Sequence, residues 1–218
     1  GSPGQNLAYM GKLKMTRYLE ENERIKYEYA TYLRHAKGQD DASIDKARAA
    51  IRQFEESTKF KSFKKFHRQQ AADFKDYLSK QKNKRTKKPL SFSTVDATLR
   101  LVKNFFHWLV SKPGFKRVLT YPDVEYFNNT RKAARVAHTQ REVSYPSMQQ
   151  AAHAFQAMPF ETEFEKRDKA LFAFFMMTCA RVGAVASLKL GHVNVEMGHV
   201  FQDAREVNTK GAKTIYCQ

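Results

Sequence analysis

One arginine and one lysine, 29 residues apart, stand at positions that indicate anion chemistry. Arg181 lies in Thr178-Cys-Ala-Arg-Val-Gly-Ala-Val185, directly after the apolar run 171–177. A cation at such a helix end is costly unless it has an anionic partner. That partner could be a buried carboxylate, which would make Arg181 structural, and spacing alone favours neither role. Lys210 lies in Thr209-Lys-Gly-Ala-Lys213, at a predicted hairpin tip for which an ordinary solvated turn is the alternative.

Other familiar chemical motifs are missing from the sequence. It has no Walker loop, no H-E-x-x-H, no C-x-x-C and no G-x-S-x-G. Its seven His and two Cys lack ligand spacing, so we expect no metal site and no cofactor. Cys179 and Cys217 make no disulfide framework and fit a reducing compartment. The longest nearly apolar run, 170–180, is shorter than the ~18 residues that a membrane span requires.

The positive charge is concentrated in one part of the chain. The 218 residues carry a formal charge of +17; residues 1–140 hold 30 basic and 14 acidic side chains, whereas residues 141–218 hold 9 and 8. Such asymmetry indicates a polyanionic partner, with nucleic acid the first candidate and an anionic membrane the second. A charge that only keeps the protein soluble is the alternative.

The basic side chains form three groups. Residues 80–89 hold six cations and no acid, and 61–90 hold 11 cations and 2 acids. For residues 80–89 a solvated loop is the alternative. The nearby cluster Lys61, Lys64, Lys65 and Arg68 instead favours a continuous basic surface. The candidate contacts are Lys61, Lys64, Lys65, Arg68, Lys82, Lys84, Arg85, Lys87 and Lys88, then Arg100 and Lys103 on one helix stripe with His107, and finally Arg131, Lys132, Arg135 and Arg141.

Hydrophobic periodicity predicts four helices in the basic half. They cover 18–36, a second segment capped by Asp41 or Ser43, 67–80, and a fourth segment beginning after Ser91 or Ser93. Lys112-Pro-Gly114 ends the fourth, and Trp108 on it is interpreted as a packing residue. Residues 115–145 show no clean periodicity and are interpreted as a basic linker with one short helix near 127–137.

The less basic half changes from helices to strands. Ser147 is a predicted cap for a helix over 148–158, and a second helix covers 162–178, with its apolar end buried in the core. A short helix over 182–188 follows. Valines, Ile215 and Tyr216, with turns at Met197-Gly198 and Lys210-Gly211, then predict a small antiparallel sheet.

In this order, these features resemble the tyrosine recombinase (phage integrase) family over residues 16–218. The family has a T-G-L-R-x-x-E-L segment, then L-x-L and a strand pair whose hairpin carries a lysine; here Ser187-Leu-Lys-Leu190 and Val193-Asn-Val195 follow Arg181. The resemblance makes Arg181 the first catalytic arginine and Lys210 the hairpin lysine. It implies attack of a tyrosine on a DNA phosphate, with a 3′-phosphotyrosyl link and no ATP.

The sequence also departs from the family pattern. Cys179 and Ala180 replace Gly-Leu, and Ala184 stands where the family has an acid that supports the arginine. The family's H-x-x-R segment and nucleophilic tyrosine would follow Gln218, and Tyr216 is expected to be a strand residue. We therefore expect the recombinase to be incomplete, so that it binds DNA but does not cleave it.

The sequence thus predicts a mainly α fold. A four-helix SAM-like core-binding domain would cover 16–114, after a tag or disordered terminus at 1–15. A basic linker, 115–144, would lead to a partial α+β catalytic domain with a small antiparallel sheet, 145–218. The expected partners are double-stranded DNA and further copies of the chain on it, in a bacterial or phage-like cytoplasm and nucleoid. A non-catalytic DNA-binding regulator and, less well supported, an RNA-binding protein are the alternatives.

Overall fold

The computed structural model describes residues 18–139 and 142–217. The chain divides into two compact units, with the boundary between residues 141 and 142. The described ranges contain nine α-helices and one three-stranded antiparallel sheet, which confirms the predicted fold class. The predicted tag, 1–15, lies outside these ranges. No helix within them is both long enough and apolar enough to cross a membrane.

Four long helices form the first unit, and all four were predicted. They are α1 (Glu20–His35), α2 (Asp41–Ser57), α3 (Arg68–Lys80) and α4 (Phe92–Val110). Ser91 caps α4, since its hydroxyl accepts from the Thr94 N–H at 3.2 Å. The cap of α2 is Asp40 rather than Asp41 or Ser43: the Asp40 carboxylate accepts from the Ser43 N–H at 2.8 Å.

The core of this unit is built on α4. Phe105 and Phe106 are fully buried, and the Phe106 ring lies 5.1 Å from the rings of both Phe54 and Phe127. Each buried phenylalanine contributes about 1.5–3 kcal/mol through its removal from water. Trp108 is also buried, 5.1 Å from Tyr29, in the packing role predicted for it.

The predicted linker differs from what the structure shows. Its apolar side chains Phe115, Leu119, Val124 and Phe127 are buried in the core of the first unit. They lie on short turns, including α5 (Tyr121–Val124) and a 3₁₀ turn over Glu125–Phe127, so their spacing matches neither a helix nor a strand. The one helix predicted in this segment is present as α6 (Arg131–His138).

A buried polar network fixes the backbone at the start of the basic cluster 61–68. Asn22 on α1 donates to Glu55 Oε1 and to the Lys61 carbonyl, both at 3.0 Å. Its own side-chain oxygen accepts from the Phe63 N–H at 3.2 Å. Lys26 closes the network with an ion pair to Glu55 at 2.6 Å. Asn22 and Glu55 are fully buried, so breaking these hydrogen bonds would leave unsatisfied polar groups in the interior. The network therefore holds the backbone near Lys61 in one conformation.

The second unit places helices before the sheet, as predicted. Its helices are α7 (Met148–Ala157), α8 (Glu163–Thr178) and α9 (Val182–Val185). Strands β1 (Val193–Asn194), β2 (His199–Gln202) and β3 (Ile215–Cys217) follow, in the order β1-β2-β3. The predicted Ser147 cap is confirmed, because its hydroxyl accepts from the Gln150 N–H.

The predicted burial of the α8 end is wrong. No residue of α8 is buried in the described chain, and Met177 is 81% exposed. The reason is that the other elements of this unit bury little apolar surface against α8. The buried apolar residues of the described unit are Ala151, Ala184, Val200 and Val207. An apolar helix can be buried only where another element covers it, and periodicity does not report that surface.

Candidate nucleic-acid interface

The two candidate catalytic residues line one small cavity in the second unit. Its volume is about 60 Å³, and the segments that form it are the α8–α9 junction, the loop between β2 and β3, and residues of these two strands. Cys179 closes α8 in a left-handed conformation (φ 50°), with its N–H donating to the Phe175 carbonyl at 3.0 Å. Arg181 follows in extended conformation, immediately before α9. Lys210 belongs to the loop, next to Gly211 at φ 74°.

Neither cation of this cavity is paired with an acid. Within residues 142–217, no carboxylate lies within 4.0 Å of the Arg181 guanidinium or the Lys210 ammonium, and both side chains are exposed. By contrast, Lys189 in the same unit lies 3.0 Å from Glu206. Ala184 is buried in the lining. The buried carboxylate considered as a structural partner for Arg181 is therefore missing from the described part of this unit.

Three polar side chains complete the cavity lining, and no sequence motif indicates them. Gln202 is buried and donates to Cys217 Sγ at 3.3 Å. Cys217 in turn donates to the Thr178 carbonyl at 3.8 Å. The Thr209 hydroxyl is buried and has no hydrogen-bond partner in the part of the chain that the structure describes. The cavity therefore combines two cations with a free hydroxyl, which is a surface suited to an oxyanion.

Tyr216 lies on the other face of its strand. Successive side chains of a strand point to opposite sides. Ile215 and Cys217 line the cavity, whereas the Tyr216 ring stacks on His199 with ring centroids 5.0 Å apart. This placement agrees with the expectation that Tyr216 is a strand residue.

The run 80–89 in the first unit forms a closed turn. Lys82 pairs with Pro89 as an isolated bridge, and the Asn83 N–H donates to the Lys88 carbonyl at 2.8 Å. The Asn83 side chain accepts from the N–H groups of Arg85 and Thr86, at 2.9 and 3.0 Å. These bonds satisfy polar groups of the backbone within the turn, and the cationic side chains extend into solvent. All five candidate side chains of the turn are exposed: Lys82, Lys84, Arg85, Lys87 and Lys88.

The candidate cations of α4 and α6 border a groove of about 540 Å³. Arg100, Lys103 and Arg131 line it, and Lys132 and Arg135 are exposed on the same short helix as Arg131. Lys103 is already engaged: its ammonium donates to Glu125 Oε2 at 2.9 Å and to Asn128 Oδ1 at 2.8 Å. The hydrogen bonds that Glu125 accepts, that from Lys103 first, hold the pKa of its carboxyl below the usual value.

The cluster around 61–68 is partly engaged as well. Lys61 and Lys65 are exposed, but Lys64 forms an ion pair with Glu21. The Arg68 guanidinium lies 5.6 Å from the Tyr126 ring centroid. Arg141, the last candidate contact, lies outside the described residues. Glu21, Glu125 and Tyr126 were missed at the sequence level because each is far from its partner along the chain.

Comparison with known proteins gives one structural match. No family model and no curated protein matches this chain. Among solved structures, the chain is similar to the crystal structure of XerA recombinase, with 17% sequence identity and a TM-score of 0.37. The match covers 90% of this chain and 59% of that one, so the chain spans less than two thirds of that structure.

Proposed function

We propose that this chain is the DNA-binding part of a site-specific recombinase of the tyrosine type. The observation that carries the proposal is that Arg181 and Lys210, singled out by their sequence motifs, line one cavity, and that no carboxylate within residues 142–217 lies within 4.0 Å of either. The second unit then corresponds to the first part of that family's catalytic domain, and the helical unit to its core-binding domain.

The cavity is proposed to bind the DNA phosphate at which recombination occurs. The planar Arg181 guanidinium would donate two hydrogen bonds to the non-bridging oxygens, where negative charge develops during attack on phosphorus. The Lys210 ammonium would protonate the departing 5′ oxygen, because a lysine on a turn is a mobile proton donor. Both roles need cations that no carboxylate neutralises, and none does so in the described part of this unit.

The first unit is proposed to bind the phosphates of duplex DNA. Its exposed cations without a carboxylate partner are suited to direct contacts, whereas Lys64 and Lys103 must first leave Glu21 and Glu125. The full set of proposed contacts is Lys61, Lys64, Lys65, Arg68, Lys82, Lys84, Arg85, Lys87, Lys88, Arg100, Lys103, Arg131, Lys132, Arg135 and Arg141.

The 218-residue chain is proposed to bind DNA without cutting it. Cleavage by this mechanism requires a tyrosine oxygen in line with the leaving group at the same phosphate. No tyrosine lines the cavity in the described part of the unit, and Tyr216 faces away from it. Without that nucleophile, Arg181 and Lys210 have no covalent step to assist.

A non-catalytic DNA-binding regulator is the second candidate function. Ala184 favours it, since this residue gives Arg181 none of the support that an acid provides in the family pattern. Such a regulator would use the same basic surface. It would not require the cavity, so substitutions at Arg181 and Lys210 would leave its DNA affinity unchanged.

A nicked suicide duplex, which traps any covalent protein–DNA product, tests the absence of cleavage. We expect a non-covalent shift of this duplex and no band that survives denaturation. A covalent band that disappears in Tyr216→Phe would make Tyr216 the nucleophile and contradict the proposal. Tyr145→Phe is the matched control, because Tyr145 is exposed and does not line the cavity.

A further inference from the structure

A second concave site lies in the first unit, away from the basic turn. It is a cleft of about 820 Å³ beside α1 and α4, and the segment that follows α4 forms its rim. Ligand sites typically have volumes of roughly 300–1,000 Å³. Five aromatic side chains line this cleft, Tyr29, Tyr32, His107, Trp108 and Tyr121.

The aromatic residues form a wall and an exposed face. Trp108 is buried between neighbours, with its ring centroid 5.1 Å from Tyr29 and 6.0 Å from Tyr32, so this wall is rigid. Tyr121 is 56% exposed, and its ring lies 5.7 Å from His107 with an interplanar angle of 31°. An exposed aromatic ring beside a rigid wall is a surface on which another planar ring can stack.

Two lysines stand at the same cleft with their ammonium groups over aromatic rings. Lys112 Nζ lies 4.4 Å from the Trp108 ring centroid, and Lys37 Nζ lies 5.7 Å from that of Tyr32. Neither lysine has a carboxylate within 4.0 Å in residues 18–139. Their stems are held against the rings while the charge stays available to an anion.

Amide groups supply the remaining chemistry. The side chains of Gln39 and Asn104 line the cleft, and neither forms a hydrogen bond within the described part of the chain. An amide presents a donor and an acceptor side by side, the pattern that pairs with the edge of a nucleobase, adenine above all. Stacking rings, free amides and unpaired lysines therefore occur together.

We propose that this cleft binds a nucleobase that carries a phosphate. The base would stack on the exposed ring of Tyr121, beside the wall that contains Trp108; its edge would bond to the amides, and the phosphate would contact Lys37 and Lys112. A free nucleotide and an unpaired nucleotide of single-stranded DNA share this chemistry. The proposal does not rest on the proposed recombinase function, because Lys37, Lys112 and Tyr121 are not among the duplex contacts. Asn104 and His107 line both this cleft and the groove beside Arg100 and Lys103.

The experiment uses Trp108, which is the only tryptophan of the chain and lines this cleft. The full chain is titrated with dAMP, and Trp108 emission is followed with excitation on the red edge of its absorption band. We expect saturable quenching by dAMP, weaker binding of deoxyadenosine, and no change with inorganic phosphate. Equal changes with inorganic phosphate and dAMP would overturn the base contact.

Variants test the assignment of the cations. Lys37→Ala with Lys112→Ala should weaken dAMP binding about tenfold, the loss expected for removing charge-assisted contacts to a phosphate. Lys46→Ala with Arg48→Ala, two exposed cations of α2, is the matched control and should leave the affinity unchanged. Equal losses in both pairs, or saturation by neither dAMP nor a short single-stranded oligoadenylate, would overturn the proposal.

The two sources of the base are separated by the same titration. If dAMP saturates the cleft with the same affinity as the oligonucleotide, a free nucleotide is sufficient to occupy the site. Saturation by the oligonucleotide alone, abolished in the lysine variant, identifies unpaired DNA. Either result supports the site. Affinity for duplex DNA is measured in parallel, and its salt dependence in the lysine pair should stay near that of the parent chain.

Discussion

Arg181 and Lys210 differ from most cations around them, because no acid among residues 142–217 lies beside them. Lys166, Arg167, Lys189 and Arg205 each lie within 3.0 Å of a carboxylate. The Arg205 pair is close enough to lower the pKa of Asp203 to about 2. A cation that is already paired competes poorly for phosphate, because the pair must break first. Arg181 and Lys210 meet no such competition from the described residues of their unit.

Substitution of Arg181 separates a binding role from a structural one. Arg181→Lys keeps the charge but loses the paired donors, so we expect about tenfold weaker binding of duplex DNA. The melting temperature should stay nearly constant, because the side chain is exposed and unpaired within the described unit. Lys213→Ala, on the same loop but outside the cavity, is the control and should bind nearly as the parent does. Early melting without an effect on DNA would show that Arg181 is structural.

Asn22 is a buried polar residue whose removal should destabilise the first unit strongly. Asn22→Ala removes a partner of Glu55 Oε1 and of the Phe63 N–H, both buried, and of the part-buried Lys61 carbonyl. Unsatisfied buried groups cost about 1–3 kcal/mol each, so the free energy of unfolding should fall by about 3 kcal/mol or more in urea denaturation. Glu23→Ala removes only the half-exposed partner of Lys26 and should cost under about 1 kcal/mol. Similar losses in the two variants would contradict the network.

At the scale of elements, the short 3₁₀ turn Glu125–Phe127 has two functions. Phe127 inserts into the core, and Glu125 on the outside holds Lys103 and lies 3.4 Å from His107. An acid that occupies a candidate phosphate contact weakens nucleic-acid binding. Glu125 therefore acts against the proposed function of the groove.

Removing this acid should strengthen DNA binding. Glu125→Gln frees Lys103, so we expect severalfold tighter duplex binding and a salt slope steeper by ~0.9. Because its pKa is lowered, Glu125 keeps its charge above the folded-state pKa, and its ion pair is broken only as the pH falls through that value. The ion pair of Glu125 with Lys103 should therefore survive acidification from roughly pH 7 to pH 5. Glu28→Gln, an exposed acid on α1, is the control; an equal gain there would show a general charge effect.

Elements were predictable from the sequence where their own periodicity decides their structure. The four long helices, the Ser91 and Ser147 caps and the antiparallel sheet follow from local spacing and turn residues. The packing of Phe115 and Leu119 was not predictable, because irregular turns give no periodic signal. The exposure of the α8 end depends on which surfaces cover it, and the pairing of Lys103 with Glu125 depends on a chain reversal. Arg181 and Lys210 were found from their motifs, but Thr209 and Gln202 carry no motif.

On the scale of the whole molecule, charge is divided between the two units. The first 140 residues hold a net +16, and the remaining 78 hold +1. The basic unit also has the extensive aromatic core, whereas the second unit buries few side chains. A well-packed basic unit can bind phosphates at fixed positions, and we propose that this unit provides most of the DNA affinity.

The salt dependence of duplex DNA binding tests this claim most directly. The slope of log K against log[salt] becomes shallower by ~0.9 for each phosphate that the protein no longer neutralises. The test variant carries alanine at Lys82, Lys84, Arg85, Lys87 and Lys88. The control removes the same charge from α1 and α2, with alanine at Arg24, Arg34, Lys46, Arg48 and Arg52. We expect the slope to flatten by several units in the turn variant and to change little in the control; equal slopes in both variants, or a turn variant identical to the parent, would contradict the account.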